Sequence, residues 1–395
     1  MQEVDVAIAG AGPAGLCLAR SLARSGLSVA LIEPQLRQAL AEAAFDGREI
    51  ALTHASRQIL ESLGIWQRIP PGEISPMRSA RVMNGTSSFA LNFTSSRAAG
   101  QDLGWLVPNH LIRRAAWEVV QGQAGLEVFD GRSVTHIGTG AERNVLTLKC
   151  GQQVSARLVA AADSRFSATR RMMGIGAQTR DFGKSMLVCR MRHEIPHGHA
   201  AWEWFGHGRT LALLPLHDNC ASAVITLPPQ PVQALMAMDE ARFGQEVTTL
   251  FEGRLGAMEP VASRHVYPLV AVYAHAFVGH RYALVGDAAV GMHPVTAHGF
   301  NFGLQSQQRL AGIVCKAAAA GRDIGAAPLL AGYQRRHRLA TRPLYEATNA
   351  IAGLYNDSRL PARLLRDAAL RVASGVGPFR RLITGHLTQR RALAR

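Results

Sequence analysis

The chain has 395 residues, 48% of them hydrophobic, enough for two cores and too apolar for a disordered protein. Its net charge of +15 comes almost wholly from arginine, since Lys149, Lys184 and Lys316 are the only lysines. Five scattered cysteines, odd in number and without C-x-x-C spacing, speak against a zinc site or a dithiol centre and for a reducing compartment. We expect no metal. The amino terminus lacks the basic segment and apolar run of an export signal, and no apolar run reaches the ~18 residues of a membrane span. The expected location is cytoplasmic.

The first element is a βαβ unit, "VDVAIAGAGPAGLCLARSLARSGLSVALIE". Val4, Val6 and Ile8 alternate as in a buried strand, and "LSVALIE" repeats the habit. Between them the spacing predicts a helix that stops at Gly26. The first junction reads G-x-G-x-x-G at Gly10, Gly12 and Gly15. Gly10 allows the tight turn, Gly12 lets backbone approach a pyrophosphate, and Gly15 lets helix pack on strand. Pro13 suits a first helical turn, whose free amides and positive end then face the diphosphate. Glu33 follows at the end of the second strand, where an acid accepts hydrogen bonds from ribose hydroxyls and disfavours a 2′-phosphate. The site suits NAD or the ADP half of FAD.

Further along, "DGREIALTHASRQILESLGIW" places Arg48 before a helix carrying Leu60 and Leu63. "RVMNGTSSFALNF" alternates around Asn84-Gly85, a hairpin signal. "AADSRFSATRRMMG" is a strand end followed by Asp163 and a capped helix start at Ser167 and Arg170. Trp202-Glu203-Trp204-Phe205 is similar to the W-x-W of flavin halogenases, but Gly206-His207 follows rather than Ile-Pro; a half-buried strand with core aromatics is the better reading. "LALLPL" and "ASAVITL" read as strands. In "RYALVGDAAVGMHPVTAHGFNFGLQ" a strand ends at Asp287, a loop turns at His293-Pro294, and a helix begins near Gly299. Ligands of doubly wound sheets bind beyond the carboxyl ends of strands, so Asp287 is placed to hold a second polar part of the same nucleotide. In the tail, residues 331–395 hold thirteen arginines against Glu346, Asp357 and Asp367. Pro361 opens a helix with Leu364, Leu365, Ala368, Ala369 and Val372 on one face and arginines opposite. That pattern suits an anionic bilayer surface or packing on the protein itself. Nucleic acid is disfavoured, because the tail lacks a recognised binding motif.

Four separated motifs over residues 1 to about 345 resemble the FAD-dependent aromatic hydroxylases of para-hydroxybenzoate hydroxylase type. "REIALTHAS", "AWEWFGHGRTLALLPL" and "VGDAAVGMHPVTAHGFNFGLQ" follow the UbiH-related subgroup of ubiquinone-biosynthesis hydroxylases, and its departures match the UbiM branch, which hydroxylates demethoxy or related quinone precursors. The usual A-D-G is Ala162-Asp163-Ser164, the histidine of G-D-A-A-H is Val290, and A-G-Q-G-L-N appears as Thr296-Ala297-His298-Gly299-Phe300-Asn301. The resemblance implies an α/β fold in which a Rossmann-type FAD-binding domain (1–71, 106–177 and 271–345) is interleaved with a β-sheet substrate domain (72–105 and 178–270), with basic C-terminal helices over 346–395. It also implies that Gly10, Gly12, Gly15 and Glu33 hold the ADP part and that Arg48 approaches the flavin end. Arg113 of "VPNHLIRRAAW", or Arg114 in a register shifted by one, would reach the diphosphate. Asp163 would lie between nicotinamide and FAD sites, and Asp287 would bind the ribityl chain. Pro294, Gly299 and Asn301 would flank the isoalloxazine, with the helix dipole favouring a reduced, anionic flavin. His293, Pro294 and His298 are the candidate catalytic residues.

The implied reaction is hydroxylation of a polyprenylated phenol or quinol ring with NADH or NADPH and O2, through a C4a-hydroperoxyflavin that must be kept from water. The sequence offers no second strand–GxGxxG–helix unit, so the nicotinamide site would be transient. Two alternatives stay open: a prenyl reductase or epoxidase of the same fold, and a non-catalytic flavin-fold subunit of a quinone-making complex. The expected partners are the prenylated substrate, O2, a membrane surface through the basic tail, and other ubiquinone-biosynthesis proteins.

Overall fold

The computed structural model describes residues 1–85, 90–94, 102–206 and 208–356. The expected amphipathic tail helix after Pro361 lies outside them. The first strand, β1 (Gln2–Ala9), turns at the glycine motif into α1 (Pro13–Ser21) and returns as β2 (Val29–Glu33). β1 pairs in parallel with β2 on one side and with Gln153–Ala161 on the other. Leu126–Asp130 adds in parallel beyond β2, and Tyr282–Leu284 beyond Gln153–Ala161. The five parallel strands therefore present their carboxyl ends, Ala9, Glu33, Asp130, Ala161 and Leu284, along one edge. Strands buried on both faces read as continuous apolar runs, which is why Val4, Val6, Ala7 and Ile8 are all buried rather than alternating. Three antiparallel strands, Asn144–Leu148, Val134–Thr139 and Val278–Gly279, complete this eight-stranded sheet.

α1 ends at Ser21, earlier than its glycine stop predicts. Residues 22–26 continue as turns, and Gly26 supplies the left-handed backbone (φ 74°) that sends the chain into β2. The long helix Gly299–Ala319 packs on α1. The helix Ala327–Asn356 passes unbroken across residue 345 and carries Pro343 inside it, at the cost of one helical hydrogen bond.

A second sheet of nine strands runs, in order, Val290–Gly291, His265–Ala274, Ala177–His193, Cys220–Leu227, Thr210–Pro215, Ala200–Phe205, Ser79–Asn84 and Ala90–Thr94, with Met258–Pro260 off the path. Ser79–Asn84 and Ala90–Thr94 pair antiparallel, as the hairpin signal predicts, with residues 86–89 of the connection outside the described chain. One face of this sheet buries Leu187, Cys189, Trp204, Leu211 and Leu213 against Phe243 and Val247 of the helix Glu240–Leu250. Each such side chain contributes about 1.5–3 kcal/mol on burial, so this face has its own core. The opposite face meets residues 46–49, where Tyr267 donates to the Asp46 carbonyl and Arg190 pairs with Glu49. A small sheet, Glu49–Leu52, Gly104–Pro108 and Ser75–Met77, is hydrogen-bonded into neither. No helix among the described residues is long and apolar enough to cross a membrane.

Candidate functional site

The glycine turn separates what the fold needs from what a ligand needs. A Cβ on Gly10, whose φ is 104°, would lie 2.5 Å from the Ala162 carbonyl oxygen, and one on Gly15 would lie 2.0 Å from the Gly10 carbonyl oxygen. Both glycines are required by backbone packing. A Cβ on Gly12 meets nothing within 4 Å. Gly12 is the N-cap of α1 with no side-chain cap, and Pro13 follows it, so the first-turn amides open onto free space. Glu33 braces this turn: its Oε2 accepts from the Ala11 amide at 2.6 Å and its Oε1 from the Gln35 amide at 3.0 Å. Each carboxylate oxygen keeps a further lone pair for a ribose hydroxyl. An amide-lined helix end beside an acid, with open space at Gly12, fits the ADP portion of a dinucleotide.

Arg113 donates to the Gln35 side chain at 3.1 Å and so lies beside the Glu33 turn. Arg114 instead faces Glu118 at 3.9 Å on its own helix. Arg48 forms an ion pair with Asp46 at 2.7 Å and lies over the Tyr267 ring, 5.3 Å from its centroid. Asp46 also accepts from Asn109 at 2.7 Å, and the Arg48 guanidinium and these hydrogen bonds, acting against burial, hold its carboxyl below the usual range.

Asp163 is built into its own turn. Its carboxylate accepts from the Ser167 hydroxyl at 2.5 Å and from the Thr169 amide and hydroxyl, both at 3.0 Å. Ser167 caps the following helix by accepting from the Arg170 amide, as expected. Ser164 holds φ 74° and Ala297 holds φ 52°. These are two positions where the resembled pattern has glycine, so both side chains sit in a backbone region that favours glycine.

Asp287 follows Gly286 (φ 63°), whose amide donates to Ser306 of the Gly299–Ala319 helix at 2.9 Å. A Cβ on Gly286 would lie 3.0 Å from the Ala14 methyl. The Asp287 loop is thus wedged between the first turn of α1 and the later helix, next to the glycine turn. Arg165 reaches Asp287 at 3.3 Å and also donates to the Val270 carbonyl at 3.0 Å. Asn301 is buried and fully engaged: its Oδ1 accepts from the Thr53 amide at 3.1 Å, and its Nδ2 donates to the Ala51 and Ala297 carbonyls, each at 2.9 Å. It clamps the helix start to the strand Glu49–Leu52, beside which Gly299 begins the helix.

His293 accepts from the Val295 amide through Nδ1 at 3.2 Å, so the proton of the neutral ring is on Nε2. Burial, reinforced by Lys184 and Arg180, pushes it down to about 4, and its ring packs edge-on against Phe182 at 4.6 Å. Exposed Pro294 opens a single turn, Pro294–Thr296, whose other two residues are half-buried. His298 is buried and donates from Nδ1 to the Thr296 carbonyl. The structure therefore collects Gly10, Gly12, Gly15, Glu33, Asp163 and Asp287 at one edge of the first sheet. It places His293, Pro294, His298, Gly299 and Asn301 in the loop and helix start that follow. Arg165 was not singled out from the sequence, although it lies two residues after Asp163. Its partner is 122 residues away and no local pattern announces it.

Residues 3–347 match the family model described as an FAD binding domain. The chain is 45% identical over 388 residues to the ubiquinone hydroxylase UbiM of Neisseria meningitidis, covering 97% of this chain and 84% of that one. The chain belongs to the FAD-dependent hydroxylases of the ubiquinone pathway. It is 34% identical to the ubiquinone hydroxylase UbiL of Rhodospirillum rubrum, covering 97% of this chain and 89% of that one. Among solved structures, p-nitrophenol 4-monooxygenase PnpA of Pseudomonas putida superposes with a TM-score of 0.79 at 17% identity, over 99% of this chain and 100% of that one. At that identity the likeness concerns the fold, and it agrees with the interleaved α/β fold expected of this family.

Proposed function

We propose that this protein hydroxylates the aromatic ring of a polyprenylated ubiquinone precursor, with FAD as resident cofactor, NADH or NADPH as transient reductant and O2 as the oxygen source. The observation that carries the reading is the joining of the two site halves. The Asp287 loop packs against the first turn of α1, so one extended ligand can run from the Glu33 turn, past Gly12, to Asp287 and the Gly299 helix start. In this reading Gly12, Glu33 and Arg113 hold the ADP end, Asp287 takes polyol hydroxyls with Arg165 steadying its carboxylate, and Arg48 stands toward the far end. FAD, when bound, supplies the electron transfer and oxygen activation. The chain's own residues bind, orient and exclude water. The helix beginning at Gly299 directs its positive end toward the loop, where negative charge is stabilised. Neutral His293 presents an Nε2–H donor there.

The basic C-terminal residues support a peripheral membrane attachment, because a prenylated substrate resides in the bilayer and thirteen arginines against three acids favour an anionic surface. The test is isotopic. Purified FAD-loaded protein is given a short-chain demethoxyubiquinol, NADH and ¹⁸O-labelled dioxygen. The product is expected to gain one labelled oxygen, and product lacking label would overturn hydroxylation in favour of reduction.

A further inference from the structure

Glu203 stands alone. Cross-strand register places Val188, Val224, Ala212, Glu203, Val82 and Leu91 in one row across the nine-stranded sheet. Side chains paired across a ladder project to the same face, so Glu203 is the only acid in a row of aliphatic groups. Its neighbours Trp202 and Trp204 project the other way, where both pack with the core under that face. The row's face is the one that meets residues 46–49, where Tyr267 donates to the Asp46 carbonyl and Arg190 pairs with Glu49. A Cβ on Gly47, next to Arg48, would meet Val188 at 2.9 Å and His265, the far end of the row, at 2.8 Å.

Of the other charges on this face, Arg192 is exposed to solvent and those nearer the row are committed. Arg190 is held by Glu49 at 2.8 Å and Glu73 at 3.3 Å. Lys184 donates to the Gly208 carbonyl at 3.1 Å. Arg78 and Asp102 face each other at 3.8 Å near the start of Glu203's strand. Arg81 is registered with Trp202 and belongs to the opposite face, and neither Thr210–Pro215 nor Ala90–Thr94 carries a charged residue. Glu203 itself forms no hydrogen bond or ion pair among the described residues. Its side chain is half-buried. Desolvation pushes its carboxyl up to about 8. An unpaired buried carboxyl costs stability unless a ligand satisfies it.

We propose that Glu203 is the proton acceptor for the ring hydroxyl of the phenolic substrate. This rests on the hydroxylase reading above. Ring hydroxylation requires an electron-rich ring, and an ionised oxygen supplies more electron density than a hydroxyl. The substrate O–H bond breaks with its electron pair left on the ring oxygen, and the proton passes to the Glu203 carboxylate. It returns to that oxygen when the hydroxylated carbon loses its own proton and the ring regains aromaticity. No oxidant beyond that of the main reaction is needed. The aliphatic row around Glu203 supplies the flat apolar wall such a ring would lie on.

The experiment compares FAD-loaded wild type, Glu203→Gln and Glu203→Asp. All three are expected to hold FAD equally. With a short-chain demethoxyubiquinol over pH 6–10, wild-type product formation should rise through about pH 8. Glu203→Gln should fall by about a hundredfold and lose that rise, while Glu203→Asp keeps it. A Glu203→Gln protein with wild-type rate and pH profile would overturn the assignment. If wild type binds FAD but makes no product, the hydroxylase reading fails, and 4-nitrophenol then judges Glu203. Its ionised form is visible, and wild type should bind it with a changed ionisation that Glu203→Gln does not produce. Identical spectral titrations for both would overturn the proposal.

Discussion

Replacing Gly12 and Gly15 by alanine, one at a time, separates a ligand-binding glycine from a packing glycine. At Gly12 the backbone is extended (φ −68°, ψ 175°), a conformation alanine adopts freely, and the added Cβ touches nothing within 4 Å. The alanine stiffens the unfolded chain, worth about 0.4–1 kcal/mol, and loses a few tenths to ~1 kcal/mol as a poorer N-cap. The two effects nearly cancel, so the deflavinated variant should unfold within about 0.5 kcal/mol of wild type. The methyl group, however, stands where a diphosphate must approach the first-turn amides. FAD affinity should therefore drop at least about tenfold, or about 1.4 kcal/mol. At Gly15 a Cβ only 2.0 Å from the Gly10 carbonyl oxygen forces the strand and helix apart. This overpacking should cost about 3 kcal/mol or more, with or without FAD. The assays are denaturant unfolding of flavin-free protein, because bound ligand would itself stabilise it, and FAD titration by fluorescence quenching. Wild-type FAD affinity in Gly12→Ala would refute the placement of the diphosphate.

Two further outcomes follow from the same physical picture. His337 is fully buried and pushed down to about 3, chiefly by desolvation with Arg309 beside it, whereas an unfolded histidine titrates near 6.5. Below pH ~6.5 the unfolded chain binds the extra proton, so this group's contribution is intact above that pH and is lost as pH falls toward 3. Between pH 7 and pH 5 it should remove about 2 kcal/mol, and urea unfolding of His337→Asn should show a smaller acid loss than wild type. Ser164→Gly and Ala297→Gly each relieve a left-handed backbone, worth about 1–2 kcal/mol, against a glycine entropy cost of roughly 0.4–1 kcal/mol. Each should raise the melting temperature by a degree or two, and a fall in both would refute the strain argument.

The parts of this fold that were readable beforehand are those written locally. β1, the glycine turn, α1 and the acid at Glu33 lie within one stretch of chain, and each feature has its own physical signature. Asp287 was readable as lying beyond a strand end, although the strand stops at Leu284 rather than at Asp287 itself, and Ser167 as a helix cap. What could not be read depends on register and distance. Asn301 spends its amide on Thr53 and Ala51, some 250 residues away in sequence, rather than standing free. Arg165 meets Asp287 only because the Asp163 turn and the Asp287 loop share a sheet edge. Glu203 looked like one polar residue between core aromatics. Only the pairing of its strand with Thr210–Pro215 and Ser79–Asn84 reveals an acid isolated in an aliphatic row. The early end of α1 at Ser21 is the converse case: Gly26 marks the turn into β2, not the last helical residue.

The most direct test of the central claim is the quinone mass profile of bacterial hosts each lacking one ubiquinone ring hydroxylase, with and without this chain. One accumulated precursor is expected to disappear and mature ubiquinone to return, whereas Asp287→Ala, having lost FAD, fails to restore it. Unchanged precursor in every host expressing the FAD-loaded protein would contradict ring hydroxylation of a ubiquinone precursor.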